Sequence, residues 1–243
     1  MGLKDKTALV TGGGSGIGLG IAEALAREGC RVAISGRTES KLQEAAAGID
    51  GDRPVLTHPC DVADRDSVRR LVDWAERELG PLDIVVNSAG INVAKRAMHE
   101  LDPADFERIL AVNCTGLFHV MQAVLPGMRA RKGGLIVNIS SIAGKRALPL
   151  AGPSYAASKF AATALGTAVG LEERSHGIRI TNIYPGEVDT PILDQRPVPV
   201  PAEKKAVMVH PADIAACVVT IAKLPPHVLV PELVITPLYQ DYL

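Results

Sequence analysis

Short apolar runs alternate with longer amphipathic ones along nearly the whole chain, and this alternation constrains the fold more than any other feature. The short runs, 7–11, 31–35, 54–58, 84–87, 135–140, 179–184 and 232–236, have the length of strands. Between them, 17–28, 39–48, 64–79, 103–129, 154–175 and 211–223 carry helical spacing. Strands that alternate with helices are joined by crossovers and run parallel. The expectation is an α/β fold: a doubly wound parallel sheet of about seven strands, helices on both faces, and ligands at the C-terminal strand ends. Composition agrees, with 47% apolar residues but only 3% aromatic, so the core is Val, Ile, Leu and Ala. Strands buried on both faces are built from such residues.

A chain of 243 residues suits one large α/β domain, and no repeat or linker divides it, so 1–243 is expected to be one catalytic unit. The one irregular stretch is 187–209, with Pro191, Pro197, Pro199 and Pro201. Placed after a strand end, it reads as a substrate loop; the alternative is a mobile connection. A net charge of −1, from 26 basic and 27 acidic residues, gives no sign of a nucleic-acid or anionic-membrane partner. No run reaches the ~18 consecutive apolar residues of a membrane span, and no leader precedes the first strand. Cys30, Cys60, Cys114 and Cys217 have no metal or redox spacing and read as buried small hydrophobes in a reducing, cytoplasmic setting.

The first strand ends at Thr11 and runs into Gly12-Gly13-Gly14-Ser15-Gly16-Ile17-Gly18, then a helix. Glycines at such a turn let the backbone approach a pyrophosphate and let helix and sheet pack closely, while the helix N-terminus faces the phosphates. The strict G-x-G-x-x-G pattern is absent because Ile17 stands at its last position; Gly12, Gly16 and Gly18 form G-x-x-x-G-x-G instead. The second strand ends Ile34-Ser35-Gly36-Arg37-Thr38, with no acid before Glu39. An NAD enzyme places a carboxylate there for the ribose hydroxyls. Arg37 can pair with a 2′-phosphate instead, helped by Ser35 or Thr38, which favours NADP(H) over NAD(H).

Tyr155 and Lys159 are four residues apart in an alanine-rich helical run, so both leave one helix face. A phenol beside an ammonium is expected to titrate below its usual ~10, which makes the pair a candidate general acid and base.

Together these residues resemble the short-chain dehydrogenase/reductase family over nearly the whole chain, which implies a Rossmann-like fold and an oxidoreductase. Thr11 to Gly18 is similar to the family's glycine turn. The resemblance gives Ser15, Gly16 and Ile17 to the cofactor, and Asp61 with Val62 to the adenine. Asn87-Ser88-Ala89-Gly90 resembles N-N-A-G, with Ser88 replacing one Asn. A catalytic tetrad is implied: Asn113 through a bound water, Ser141 in Ser140-Ser141-Ile142-Ala143-Gly144, Tyr155 and Lys159. Ser140 is the alternative to Ser141. Pro185-Gly186-Glu187-Val188-Asp189-Thr190 resembles the motif in which Val188 and Thr190 hold the nicotinamide carboxamide.

The expected reaction is hydride transfer between nicotinamide and a carbonyl or alcohol carbon of a small or acyl-type substrate, with Tyr155 moving the proton. The alternatives are an NAD-linked alcohol dehydrogenase and a sensor that binds NADP(H) without turnover. The resemblance also implies a homo-oligomer, dimer or tetramer, packed partly through the helix of Tyr155. Ala156, Ala157, Ala161, Ala162, Ala164 and Gly166 suit either that contact or packing on the helix's own sheet. Two basic pairs, Lys95-Arg96 and Lys145-Arg146, follow strands four and five and read either as solvated cations or as attractors of an acidic substrate.

Overall fold

The computed structural model describes residues 2–241, so residues 1, 242 and 243 of the expected domain lie outside the described residues. Among the described residues seven strands are present: β1 (Thr7–Thr11), β2 (Arg31–Gly36), β3 (Leu56–Pro59), β4 (Ile84–Asn87), β5 (Gly134–Ile139), β6 (Ile178–Pro185) and β7 (Glu232–Ile235). They form one parallel sheet in the order β3-β2-β1-β4-β5-β6-β7. The winding reverses between β1 and β4, and a crevice opens beyond the strand ends at such a switch point.

Helices cover both faces: α1 (Gly16–Arg27), α2 (Glu39–Ala47), α3 (Arg65–Leu79), α4 (Pro103–Leu110), α5 (Gly116–Arg131), α6 (Pro153–Glu172), α7 (Ala202–Lys205) and α8 (Pro211–Lys223). Because strand side chains alternate, Ala8, Val10, Ile34 and Val137 meet Ile21 and Leu25 of α1 and Ile214 and Val218 of α8. On the other face Leu9, Val85, Ile136 and Ile180 meet Leu71 of α3 and Val120 and Val124 of α5. Burial on both sides explains why the strands read as continuous apolar runs.

Four sequence expectations need correction. The stretch 103–129 is not one regular helix: a π turn, Ala111–Thr115, joins α4 to α5 and centres on Asn113. The whole Pro103–Arg131 stretch is long and apolar enough to cross a membrane, which a count of consecutive apolar residues does not register. Its Val120, Met121, Val124 and Met128 are nonetheless buried, so it serves as a core helix. The segment 187–209 is not structureless: it holds a 3-10 turn (Pro191–Gln195), α7 and a bridge from Val188 to Val209. Of the cysteines, Cys30 and Cys60 are buried as expected, whereas Cys114 and Cys217 are half-buried.

Candidate active site

A cleft of about 540 Å³ lies across the C-terminal strand ends. Gly12, Ser15, Gly16, Ile17 and Arg37 line one end, and Gly90, Ser141, Tyr155 and Lys159 line the middle. Pro185, Gly186, Val188 and Thr190 border it on the β6 side. Most of the expected site residues, from five separate strand ends, therefore share one wall.

The glycine turn is shaped by close backbone approach. Gly12 has φ +67°, and a Cβ there would stand 2.8 Å from the backbone of Ala89. A Cβ on Gly18 would stand 2.3 Å from the Gly12 carbonyl oxygen, closer than any real contact. A Cβ on Gly16 would reach within 3.3 Å of Thr190, so turn and β6 loop face each other across a narrow gap. That cradle of bare backbone at the start of α1 suits the phosphates of a dinucleotide. Arg37 is exposed on the same wall, and no carboxylate follows β2 until Glu39.

Several expected cofactor residues do not line the cleft. Gly18 and Ala89 lie behind the wall, Gly18 against Gly12 and Ala89 with its N–H near the Thr11 hydroxyl at 3.5 Å. Asn87 is buried and donates to Asn138 Oδ1 at 2.9 Å, tying β4 to β5. Asp61 is exposed beyond β3, its Oδ1 accepting from the Ala63 N–H at 3.0 Å, while Val62 is buried. Ser35 is fully buried and its hydroxyl has no partner among the described residues, so it does not share the Arg37 site.

Ser141, Tyr155 and Lys159 do come together. Ser141 caps a 3-10 turn (Ile142–Gly144), accepting from the Ala143 N–H at 3.1 Å. Ser140 instead donates to the Lys159 carbonyl at 3.3 Å and sits beside Thr163, bracing α6. Lys159 is buried, donates to the Ile139 carbonyl at 2.9 Å, and lies 5.5 Å from the centroid of the Tyr155 ring. The expected lowering of the phenol is not met in the chain by itself. Burial pushes Tyr155 up to about 12, against weaker downward pulls from the Ser141 hydroxyl and the Arg96 charge. Burial brings Lys159 down to about 8. Desolvation disfavours both charged forms, and it is the largest cause for each.

Asn113 is occupied by protein partners. Its Oδ1 accepts from the Ile91 N–H at 2.8 Å, and its Nδ2 donates to the Ile91 carbonyl at 3.0 Å and the Ser158 hydroxyl at 3.0 Å. It fixes the strand-four loop to α6 beside Lys159.

The cleft's remaining end includes residues whose role sequence reasoning missed or misjudged. Arg96 is not a surface cation of the Lys95-Arg96 pair: it is 7% exposed. Its Nε donates to the Val93 carbonyl at 2.7 Å, Nη1 to the Leu150 carbonyl at 3.2 Å, and Nη2 to the Gln195 carbonyl. Gly152, at φ +78°, makes room for its stem, since a Cβ there would meet Arg96 Cβ at 2.9 Å. Glu187 takes Arg196 at 2.9 Å, Lys204 at 3.0 Å and the Tyr239 hydroxyl at 2.6 Å. Burial opposes ionisation of Glu187, but those three donors hold its carboxyl below the usual range. Only the acid after Pro185-Gly186, in a segment rich in Arg and Lys, hints at this latch in the sequence. Lys145 pairs with Glu232 and covers the Tyr184 ring at 4.6 Å, away from the cleft wall.

Comparison with known proteins adds to this geometry. Residues 6–198 match the profile described as short chain dehydrogenase. An uncharacterised oxidoreductase of Staphylococcus saprophyticus is 37% identical over 237 residues, spanning 97% of this chain and 98% of the relative. The fold is similar to an alcohol dehydrogenase of Thermococcus sibiricus solved with 5-hydroxy-NADP. Its TM-score is 0.87 at 32% identity, over 97% of this chain and 98% of the other. It is also similar to an actinorhodin polyketide ketoreductase solved with NADPH, with a TM-score of 0.84 at 31% identity over 96% of each chain.

Proposed function

This chain belongs to the short-chain dehydrogenase family of oxidoreductases, and on that premise we propose that it interconverts a carbonyl and a secondary alcohol with NADP(H). The observation that carries the reading is the single cleft in which the glycine cradle and Arg37 meet Ser141, Tyr155 and Lys159. The cofactor fits the residues present: bare backbone at Gly12 and Gly16 for the pyrophosphate, Arg37 for a 2′-phosphate, and Val188 with Thr190 for the carboxamide. Asp61, whose Oδ1 is taken by Ala63, would meet the adenine amino group through Oδ2. Similar structures bound to NADP or NADPH add support.

The nicotinamide, when bound, supplies or accepts the hydride. The chain's own part is electrostatic. Ser141 and Tyr155 donate toward the oxygen on which negative charge builds, already in place before the reaction. Tyr155 passes the proton, and a protonated Lys159 beside it stabilises the phenolate during that passage. Asn113 acts indirectly, holding Ile91 and Ser158 so that Lys159 stays in register. The segment 187–209 covers the substrate end, and the whole chain works as one catalytic unit. The exposed apolar residues Phe160 and Leu171 of α6, Phe106 of α4 and Phe118 of α5 support a dimer or tetramer.

Fluorescence titration with NADPH and NADH, followed by assay of Tyr155→Phe on a good carbonyl substrate, tests the proposal. NADPH should bind more tightly, and the variant should lose about 1,000-fold in turnover with NADPH affinity kept within about threefold. Near-wild-type turnover by the variant would overturn the assignment of Tyr155.

A further inference from the structure

Arg96 is a buried guanidinium without a counter-charge. Three of its five N–H groups go to the carbonyls of Val93, Leu150 and Gln195, leaving two. Among the described residues no carboxylate lies within ion-pair distance of it. A guanidinium keeps its proton, so the charge stays. Burying a charge among neutral partners is costly, and an anion paired with it would offset that cost.

The surrounding wall sharpens this. The cleft is lined by Arg37, Arg96, Arg108, Lys159 and Arg196 against one carboxylate, Glu187. Arg108 is satisfied by Asp105 at 2.6 Å, the proposed cofactor takes Arg37, and Lys159 donates to the Ile139 carbonyl beside Tyr155. Glu187 is shared between Arg196 and Lys204, so it leaves Arg96 uncompensated. Burial first, and then the like charge of Arg196, both work against the protonated Arg96. An anion seated between the two arginines relieves both effects.

We propose that Arg96, with Arg196 beside it, recognises a carboxylate on the substrate, which makes the substrate class oxo- or hydroxy-acids rather than neutral carbonyls. The inference rests on the carbonyl–alcohol reading for its chemistry, but not for its binding site. Arg96 also joins the loop after β4, the turn before α6 and the 187–209 segment. Carboxylate binding there would therefore tighten the substrate segment over Tyr155. No electrons or atoms beyond the hydride and proton already described are involved.

The test has a binding arm and a turnover arm. Calorimetry with succinate, an unreactive dicarboxylate, on the protein saturated with NADPH should give a clear signal, and dimethyl succinate none. Arg96→Gln should weaken succinate about 50-fold or more, the range for truncating one partner of a buried charge pair, with NADPH affinity unchanged. Arg196→Gln should weaken it less, and Arg96→Lys should restore part of the loss, which separates charge recognition from collapse of the wall. In turnover, acetoacetate and levulinate should be preferred over their methyl esters by a similar factor, and Arg96→Gln should erase that preference. Succinate binding lost in Arg96→Gln without turnover of any carbonyl would support the anion site and break the carbonyl–alcohol reading. Equal turnover of acids and esters, or equal loss of NADPH and succinate binding in Arg96→Gln, would overturn the anion site and spare that reading.

Discussion

At the β1–α1 end of the cleft the wall is backbone: Gly12 and Gly16 line it with Gly13 and Gly18 behind them, each where a Cβ would touch a neighbouring chain segment. At the 187–209 end the wall is side chains: Glu187 with Arg196, Lys204 and Tyr239, and Arg96 donating to three carbonyls. The first end is fixed by steric exclusion and tolerates almost no added atom. The second is fixed by charge and hydrogen bonds, which respond to pH and can reform around a ligand. A dinucleotide needs the same cradle every time, whereas a substrate pocket has to discriminate. The contrast predicts that one methyl does more damage at the glycine end than a lost charge does at the other.

Gly18→Ala tests the steric end and should have the largest effect. The added Cβ would sit 2.3 Å from the Gly12 oxygen and 2.8 Å from its carbonyl carbon, with no flexible side chain able to yield. Alanine would return about 1 kcal/mol of helix propensity in α1. Overpacking of this kind costs up to about 3 kcal/mol, so the clash wins. Thermal unfolding should show a net loss of about 2 kcal/mol, and NADPH titration a drop of at least about 100-fold as the turn is displaced. A variant with wild-type affinity would break the comparison at its stronger end.

Arg37→Asp is the next largest, and it adds charge discrimination to the backbone end. Losing a charge-assisted bond to the 2′-phosphate and gaining a like charge should weaken NADPH by about 100-fold, equivalent to about 3 kcal/mol. NADH, which lacks that phosphate, should change by no more than about threefold. Parallel fluorescence titrations check this, and equal losses for both cofactors would remove Arg37 from the phosphate site.

These two effects also show what could be read from the chain. Element order, the sheet and the glycine turn were legible because each depends on local period or on a residue type at a fixed place. Tyr155 and Lys159 were legible because one helical turn joins them. The burial of Arg96 was not legible because its partners Leu150 and Gln195 are 54 and 99 residues away; that burial rules out the solvated reading and leaves the other open. The Glu187 latch is hinted at by Arg196 and Lys204 nearby, but its closure on Tyr239, 52 residues on, is hidden for the same reason. The raised phenol of Tyr155 was missed because helical spacing shows that Lys159 is near but not how much water both have lost.

Glu187→Gln probes the charged end and should be milder, about 1–2 kcal/mol, because a neutral amide keeps some of the bonds. The KM for substrate should rise while NADPH affinity stays within about twofold. The pH dependence has a definite sign. The Glu187 carboxyl is held below its ordinary value, so the folded state binds fewer protons than the unfolded one as pH falls. Its contribution is full above the unfolded carboxyl value of ~4.3 and is lost as pH drops through the lower folded value. Melting curves of the wild type between pH 3 and 6, on the order of that window, should steepen on the acid side relative to the variant. Parallel curves would show that the latch carries no linkage.

Ser35→Ala should have the smallest effect and the opposite sign. Ser35 lies in β2, fully buried, and its hydroxyl finds no partner among the described residues. An unmet buried hydroxyl costs about 1–3 kcal/mol by mutational measures, and its removal leaves a methyl between Thr11 and His58, its register neighbours in β1 and β3. The freed space is one oxygen, too small to open a cavity, so the desolvation gain outweighs the lost contacts. Alanine should therefore stabilise the fold by up to about 1 kcal/mol, a rise of roughly 2–4 °C in Tm for a chain of this size. NADPH and NADH affinities should be unchanged, because the hydroxyl does not reach the cleft wall. A selective loss of NADPH binding would instead put Ser35 in the phosphate site with Arg37, and would show that part of the backbone end is read through a side chain after all.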